Sequence, residues 1–212
     1  MKLQILPLGE LQANCYILSD DDGTAAVIDP GAESPALADA LRGLRLRYIL
    51  LTHGHFDHVM GVPFVKRLTG APVLIHHLDA PMLYDEKISM ADRLFPGRQN
   101  YFYPDIYIGD GDTIDFAGGI HVYHTPGHSM GSVCYRLDDT IFTGDTLFCR
   151  TVGRTDLYGG SMAAMIRSVD RLQALPGDYI LYPGHSRSTT MQEERTHNRY
   201  FRKRNAFFKN QS

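Results

Sequence analysis

The chain has 212 residues, enough to enclose a sizeable core without disulfide bonds, and we expect one domain over residues 1–212. A net charge of −3 and a hydrophobic fraction of 43% are typical of a globular protein and argue against nucleic acid or an anionic membrane as the main partner. No apolar run approaches the roughly 20 residues needed to span a bilayer, and the N-terminus lacks a signal-peptide core. The three cysteines, Cys15, Cys134 and Cys149, are scattered and odd in number, so we expect buried thiols in a reducing cytoplasm.

The first half of the chain predicts strands that alternate with short helices. Apolar runs between turn residues are typical of antiparallel strands, a Ser-Pro pair is typical of a helix start, and a glycine often follows a helix end. A continuous apolar run before Thr52 indicates a buried strand. These signals predict strands at 3–8, 14–19, 25–30, 47–51 and 72–76, and helices at 34–41 and 59–70.

The second half is again rich in short strands and ends with helices. Residues 85–105 have no periodicity, so they are either a functional loop, such as a lid, or an unrecognised element. Two strand-rich halves, each followed by helices, predict an α/β fold with four layers, in which two sheets lie between helices (an αββα sandwich). Strands are predicted at 112–116, 120–124, 132–137, 139–144 and 179–183, and helices at 161–174 and beyond residue 185.

Four metal-ligating side chains lie within six residues of the segment THGHFDHVMG, which covers residues 52–61. His53 and His55 alternate along an extended stretch, whereas Asp57 and His58 lie where the chain turns into a helix. The loop can therefore offer two groups to one metal ion and two groups to a second. A lone histidine is usually structural, but four ligand-type residues in one loop favour a metal site.

Three further candidate ligands follow predicted strands later in the chain. His128, Asp145 and His185 each come shortly after an apolar run, and a glycine precedes each of them. Loops at the ends of neighbouring strands converge, and α/β proteins usually place their chemistry there. Imidazole and carboxylate ligands without cysteine are typical of Zn²⁺, Fe²⁺ or Mn²⁺. The remaining histidines are expected to be surface or hydrogen-bonded residues, with His124 as the first exception to consider; they are His76, His77, His121, His124 and His197.

These motifs resemble those of the metallo-β-lactamase superfamily in number, order and spacing. The matching segments are THGHFDH, TPGH, FTGD and YPGH, which end at His58, His128, Asp145 and His185, together with an opening hairpin that leads to Asp29. The segment 144–160 narrows the likeness to short, glyoxalase II-like bacterial hydrolases and, through GRTD at 153–156, to persulfide dioxygenases.

The resemblance implies the αββα sandwich of the metallo-β-lactamase type and a role for each candidate residue. It also implies two divalent metal ions, with zinc first and iron or manganese as alternatives. The implied ligands of the first ion are His53, His55 and His128. The implied ligands of the second ion are Asp57, His58 and His185, with Asp145 as the bridge between the ions and Asp57 also as the candidate catalytic residue. Asp29 would brace the histidine loop without binding metal.

Hydrolysis of a thioester is the activity that we favour, with S-lactoylglutathione or a related S-acyl thiol as the small-molecule substrate. Two metal ions ~3.5–4 Å apart would share a water molecule and lower its pKa towards ~7, so that no side-chain nucleophile is needed. Arg154 and Tyr158 are candidates for binding a substrate carboxylate, and a salt bridge from Arg154 to Asp156 is an equal alternative. The basic run at 202–204 is expected to be a solvated surface rather than a glutathione site.

Three other functions stay open at this point. A persulfide dioxygenase would use a single Fe²⁺ held by His53, His128 and Asp145, an arrangement suited to O₂ chemistry. The acidic charge balance disfavours an RNA-processing nuclease, and the complete set of seven ligands disfavours a non-enzymatic binding module. No apolar helix demands a partner chain, so we expect a monomer or a weak homo-oligomer.

Overall fold

The computed structural model describes residues 1–97 and 101–201, and its first sheet is built from six strands. These are β1 Lys2–Leu8, β2 Ala13–Ser19, β3 Thr24–Ile28, β4 Arg45–Leu50, β5 Val73–His76 and β6 Ile106–Ile108, in the spatial order β1-β2-β3-β4-β5-β6. The first three strands pair antiparallel, as predicted, whereas β3 to β6 pair parallel. The carboxyl ends of β3, β4 and β5 therefore lie along one edge of the sheet.

The second sheet also has six strands, with a small hairpin beside it. Its strands are β7 Thr113–Ile114, β8 Ile120–His124, β9 Val133–Leu137, β10 Thr140–Gly144, β13 Ile180–Pro183 and β14 Thr189–Thr190, and the hairpin is β11 Leu147–Phe148 with β12 Thr151–Val152. The spatial order is β14-β13-β10-β9-β8-β7. Because β10 runs parallel to β13 and both β8 and β10 run antiparallel to β9, the strands β8, β10 and β13 end at the same edge.

Six α-helices flank the sheets in the described part of the chain. They are α1 Pro35–Leu41, α2 Phe56–Val59, α3 Val62–Thr69, α4 Ala91–Leu94, α5 Met162–Gln173 and α6 Met191–His197. The predicted starts of α1 and α5 are confirmed by N-caps, because the hydroxyls of Ser34 and Ser161 accept backbone N–H groups three residues later. Gly70 ends α3 in the left-handed conformation, with φ of 70°, as a C-terminal glycine should.

Three apolar clusters separate the four layers. Along β2, Cys15 and Ile17 pack with α1 and α3 on one face, whereas Tyr16 and Leu18 pack between the two sheets. On the outer face of the second sheet, Met165 and Val169 of α5 pack in a third cluster, as their helical spacing predicts. The layers therefore follow the predicted order of helix, sheet, sheet and helix, and the α/β four-layer sandwich is confirmed.

One predicted helix is in fact two. The sequence predicts a single helix over 59–70, but α2 ends at Val59 and α3 begins at Val62. Between them, the Gly61 N–H donates to the backbone oxygen of Pro30 at 2.8 Å, and a Cβ on Gly61 would lie 2.6 Å from that oxygen. The close approach of another backbone segment decides where the helix breaks, and local helix propensity does not reveal it.

Other differences concern short elements and one cysteine. Residues 85–105 contain the one-turn helix α4, and the strands missed by the sequence pattern (β6, β11, β12 and β14) have only two or three residues, too few to show alternation. Cys15 and Cys134 are buried as expected, but Cys149 is half-buried because it lies in the turn of the β11–β12 hairpin. Within the described ranges, no helix has the length and apolar content that a membrane crossing requires.

Candidate metal centre

All seven predicted ligands lie at the edge where the strands of both sheets end. His53 and His55 follow β4, and the N-terminal turn of α2 carries Asp57 and His58. The other three follow the co-directional strands of the second sheet: His128 comes after β8, Asp145 after β10 and His185 after β13. The parallel direction of these strands within each sheet is what brings residues distant in sequence to one place.

The first group of ligand atoms comes from His53, His55 and His128, whose atoms lie within 4.8 Å of one another. His55 Nδ1 is 2.8 Å from His128 Nε2, and all three side chains are buried. Burial, followed by the neighbouring imidazoles, lowers the pKa values of His53 and His55 well below the ordinary value. Both rings are therefore neutral at physiological pH, which is the form that binds metal.

Hydrogen bonds on the far side of each ring select its tautomer. His128 Nδ1–H donates to the backbone oxygen of Arg154 at 2.8 Å, because a carbonyl oxygen can only accept. The Nδ1–H of His58 donates in the same way to Asp29 Oδ2 at 2.9 Å. In both rings this bond leaves Nε2 directed at the other candidate ligands, so Nε2 is the nitrogen that a metal ion would bind.

The second group comes from Asp57, His58 and His185, again within 4.8 Å of one another. Asp57 Oδ2 lies 3.1 Å from His185 Nε2 and 3.7 Å from His58 Nε2. Burial raises the pKa of Asp57, but His58 and His185 outweigh it and hold this pKa below its usual range. Burial lowers the pKa of His58, and the carboxylates of Asp57, Asp145 and Asp29 outweigh it and raise this pKa to about 10.

Asp145 lies between the two groups. Its Oδ1 is 3.5 Å from His58 Nε2, and its Oδ2 is 3.4 Å from His128 Nε2. Gly184 makes this position possible, because a Cβ there would lie 2.2 Å from Asp145 Oδ1. The sequence predicts a glycine for a sharp turn before His185, but Gly184 has no positive φ, and close approach is the reason that a side chain does not fit.

Asp29 braces the histidine loop, as the resemblance implies. Its Oδ1 accepts the backbone N–H of Thr52 at 2.8 Å, and its Oδ2 accepts the Thr52 hydroxyl at 2.5 Å. The Thr52 oxygen then lies 3.1 Å from His53 Nδ1. A third group of possible ligand atoms within 4.8 Å of one another comes from Asp29, His53 and His58. The oxygens of Asp29, however, already accept the two hydrogen bonds from Thr52 and one from His58 Nδ1. We therefore regard Asp29 as a positioning residue and not as a ligand.

Asp79 is a second brace, and the sequence analysis missed it. This buried carboxylate accepts the N–H of Gly54 at 3.2 Å, the N–H of Gly131 at 2.6 Å and the Ser129 hydroxyl at 2.5 Å. Gly54 lies between His53 and His55, and Ser129 follows His128 directly. Asp79 thus joins the two loops that carry the first ligand group. No local signal reveals it, because its partners are 25, 50 and 52 residues away.

The donor atoms at this edge fit metal ions. Four of them are buried and have no hydrogen-bond partner within the described ranges: His53 Nε2, His55 Nε2, His58 Nε2 and Asp145 Oδ1. Buried polar atoms without partners are rare in folded proteins, since each costs free energy. Imidazole nitrogens and carboxylate oxygens without thiolates are a donor set typical of zinc, iron or manganese.

A cavity of about 590 Å³ opens onto these residues. Arg154 lines it and forms a bidentate ion pair with Asp156, at 2.8 and 2.7 Å, so both interpretations of this arginine find support in its position. The side chain of Tyr158 is 49% exposed and is not among the residues that line the cavity. The predicted basic run of Arg202, Lys203 and Arg204 lies outside the described residues.

The other histidines stay outside both ligand groups. The ring of His76 stacks on the ring of His124 at 4.2 Å and on the ring of His77 at 4.5 Å, and His124 Nε2 lies 2.9 Å from the backbone oxygen of Met130. His121 Nδ1 lies 3.1 Å from the hydroxyl oxygen of Thr113. Among the described residues, none of these rings belongs to a group of side chains that could hold a metal ion.

Comparison with known proteins gives the same family. The chain is 32% identical over 205 residues to the hydroxyacylglutathione hydrolase GloC of Haemophilus influenzae, covering 93% of this chain and 97% of that protein. The BLEG-1 B3 metallo-β-lactamase is 34% identical with a TM-score of 0.89, covering 94% of this chain and 99% of that one. The di-iron-bound form of TTHA1623 is also 34% identical, with a TM-score of 0.81, covering 93% and 99%.

The family model covers most of the chain. The model of the metallo-β-lactamase superfamily matches residues 8–185, which include all seven predicted ligands. This match supports a metal-dependent hydrolase, and the two groups of candidate ligands lie where the strands of both sheets end. The chain belongs to the metallo-β-lactamase superfamily.

Proposed function

We propose that the chain is a metal-dependent thioesterase of the glyoxalase II type, which hydrolyses a small S-acyl thiol in the cytoplasm with two divalent metal ions. The observation that supports two ions is the position of Asp145, whose two carboxylate oxygens face the two ligand groups. Paired metal ions assist hydrolysis by activating water and by polarising the carbonyl under attack. The reaction breaks the C–S bond, adds the water oxygen to the acyl carbon and gives a proton to the departing thiolate.

The residues around the site would prepare it for this reaction. The neutral rings of His53 and His55 have low pKa values, so no proton competes with metal binding there. Asp57 lines the cavity, and its lowered pKa keeps it ionised, so its carboxylate can accept a hydrogen bond and orient a water molecule. His128 is held by its hydrogen bond to the Arg154 backbone, which keeps its Nε2 directed into the site.

Support for a thioester substrate comes from the relative in Haemophilus influenzae that is named a hydroxyacylglutathione hydrolase. The match spans 93% of this chain and 97% of that protein, so it extends over the whole domain. Zinc is our first proposal for the metal, because its coordination by imidazole and carboxylate with an open position is common in hydrolases. The di-iron form of TTHA1623 makes iron the alternative to test.

The test is hydrolysis of S-lactoylglutathione by protein reconstituted with zinc, followed by the loss of thioester absorbance. We expect turnover that a chelator abolishes and that disappears in His53→Ala and Asp145→Ala. His121→Ala is the matched control, since His121 lies in β8 outside both ligand groups, and it should keep full activity. Metal content measured on the same samples should be two ions per chain in the wild type.

Three results would contradict the proposal in different ways. Two bound metal ions without turnover of S-lactoylglutathione or simpler thioesters would exclude the thioesterase and leave a hydrolase of another substrate class. A single iron per chain, with O₂ uptake on glutathione persulfide, would identify a persulfide dioxygenase. Cleavage of RNA at low salt, where electrostatic affinity is highest, would identify a nuclease.

A further inference from the structure

The walls of the metal-centre cavity are mainly apolar. Besides the ligands, the cavity is lined by fewer polar side chains, among them Thr151 and Ser186, than apolar ones. The aliphatic, aromatic and thioether side chains are Leu11, Phe56, Met90, Leu94, Phe148 and Leu157. They come from the β1–β2 turn, α2, α4 and its N-cap, the β11–β12 hairpin and the segment after β12. When an apolar wall covers apolar substrate surface, the binding free energy becomes more favourable by about 25 cal/mol per Å² of surface removed from water.

The segment around α4 is fastened against the metal-centre loop. The Phe56 N–H at the start of α2 donates to the backbone oxygen of Ser89 at 3.1 Å, and the rings of Phe56 and Phe95 lie 5.5 Å apart. These contacts hold Met90 and Leu94 at the cavity. The wall is therefore part of the folded structure beside the ligands, and the same segment also carries an arginine to the cavity.

In the described part of the chain, two arginines line the cavity, and they differ in the charged groups around them. Arg154 forms a bidentate pair with Asp156, which neutralises much of its charge. Arg93 of α4 has no carboxylate partner among the residues that the structure describes, and its side chain is exposed at the cavity. A guanidinium of this kind can bind one carboxylate through two parallel hydrogen bonds.

Glutathione thioesters fit this lining poorly. The glutathione arm carries two carboxylates and an ammonium group, and a polar group that leaves water for an apolar wall costs free energy unless it finds a partner. Among the residues that the structure describes, the cavity offers such a substrate one cation without a carboxylate partner, Arg93. A substrate with apolar groups and a single carboxylate would satisfy both the walls and Arg93.

We infer that the preferred substrate of this site is a thioester with an apolar acyl arm and one carboxylate, and that Arg93 binds the carboxylate. The inference rests on the proposed thioesterase function and names its substrate class. Met90 and Leu94 would contact the apolar acyl arm together with Phe148. Each methylene that this wall covers raises kcat/KM about fourfold by the usual transfer free energy.

Three synthetic thioesters separate the two features, with S-lactoylglutathione as comparison. They are the lactoyl and hexanoyl thioesters of N-acetylcysteamine, which are neutral, and the hexanoyl thioester of 3-mercaptopropionate, which carries one carboxylate. Between the two neutral N-acetylcysteamine thioesters, we expect kcat/KM for hexanoyl to exceed that for lactoyl by at least about tenfold. The carboxylate should raise kcat/KM further, by about fivefold and mainly through KM.

Variants assign this selectivity to the residues. Arg93→Ala should remove the fivefold advantage of the carboxylate and leave the neutral hexanoyl compound unchanged, whereas Arg93→Lys should keep most of it. Leu94→Ser should reduce the preference for hexanoyl over lactoyl. Arg167→Ala is the matched control, since Arg167 is exposed on α5 and is not among the cavity-lining residues.

The inference is overturned if lactoyl and hexanoyl thioesters react equally well, or if Arg93→Ala affects neutral and anionic substrates alike. Efficient turnover of S-lactoylglutathione alone would overturn it while leaving the thioesterase function in place. If the two-metal protein hydrolyses none of the four thioesters, the proposed function and this inference both fail. Cleavage of any thioester therefore separates a failure of this inference alone from a failure of the proposed function.

Discussion

Asp79 accepts a hydrogen bond at 3.2 Å from the backbone N–H of Gly54, the residue that separates His53 from His55. The same carboxylate accepts the Gly131 N–H at 2.6 Å, so one buried side chain joins the two loops of the first ligand group. A Cβ on Gly54 would lie 2.8 Å from the backbone oxygen of Asp79, which shows how closely the two segments approach. The positions of two metal-ligating loops therefore depend on a residue that binds no metal.

Replacing Asp79 should weaken metal binding without touching a ligand. In Asp79→Ala, the N–H groups of Gly54 and Gly131 lose their acceptor, and we expect about a 10- to 100-fold loss of affinity for the first metal ion. Titration of the metal-free protein with metal ions measures this loss of affinity. Asp79→Glu should recover part of the affinity if hydrogen bonding is the cause, and Asp21→Asn on the surface is the control. Unchanged affinity in Asp79→Ala would show that the loops hold their positions without the brace.

Thr52 should matter because it passes the Asp29 contact on to His53. The Thr52 hydroxyl donates to Asp29 Oδ2 at 2.5 Å, so its oxygen is left to accept from His53 Nδ1–H at 3.1 Å. Thr52→Val keeps the shape of the side chain and removes the hydroxyl, and we expect about a tenfold loss of metal affinity. The cobalt-substituted protein should also show a shifted visible spectrum. Thr140→Val, in β10 but at its far end, is the control, and equal affinities in both variants would contradict this role.

Gly184 should tolerate no side chain. A Cβ there would lie 2.2 Å from Asp145 Oδ1 and 2.7 Å from His58 Cε1, so Gly184→Ala must displace the carboxylate between the two ligand groups. We expect metal content to fall below two ions per chain, with a fold that circular dichroism still shows as native. Gly109→Ala is a fair control, since the nearest atom to its Cβ would be 3.9 Å away and its φ is not positive. Full metal content in Gly184→Ala would contradict the assigned position of Asp145.

The stacked histidines should make the protein sensitive to acid. Burial, followed by the neighbouring rings of His124 and His77, lowers the pKa of His76 to about 4. The unfolded chain binds this proton near its ordinary pKa of ~6.5, so the unfolded state takes up more protons than the folded state between these values. The contribution of the neutral His76 ring to the free energy of unfolding is therefore fully present above about pH 6.5, and it declines as the pH falls towards 4.

Melting temperatures at several pH values test this effect. His76→Gln should flatten the fall in melting temperature between pH 6.5 and 4, relative to the wild type, while His121→Gln should not. The comparison is made at fixed metal content, because bound ligands also stabilise the folded state. Parallel curves for the wild type and His76→Gln would show that His76 does not titrate as inferred.

Local patterns in the sequence were sufficient to identify the candidate ligands and to predict the fold class, which the structure confirms. Each candidate ligand follows an apolar strand at a turn, and that arrangement is written in consecutive residues, as in THGHFDH before α2. The long helix α5 was predictable for the same reason, since a stripe that includes Met165 and Val169 recurs at helical spacing. Four elements of two or three residues (β6, β11, β12 and β14) were missed, because alternation needs more positions than they contain.

The sequence by itself determined which residues can bind metal, because side-chain chemistry and strand-end positions are local properties. Only the tertiary structure decided how they are grouped and braced. His55 meets His128 across 73 residues, and Asp79 meets Gly131 across 52, because the strands of two separate sheets end at one edge. The apolar cavity wall is likewise assembled from several elements. Such contacts depend on which strands are neighbours in the sheets. The packing of the whole chain sets this strand order, and no short segment of sequence encodes it.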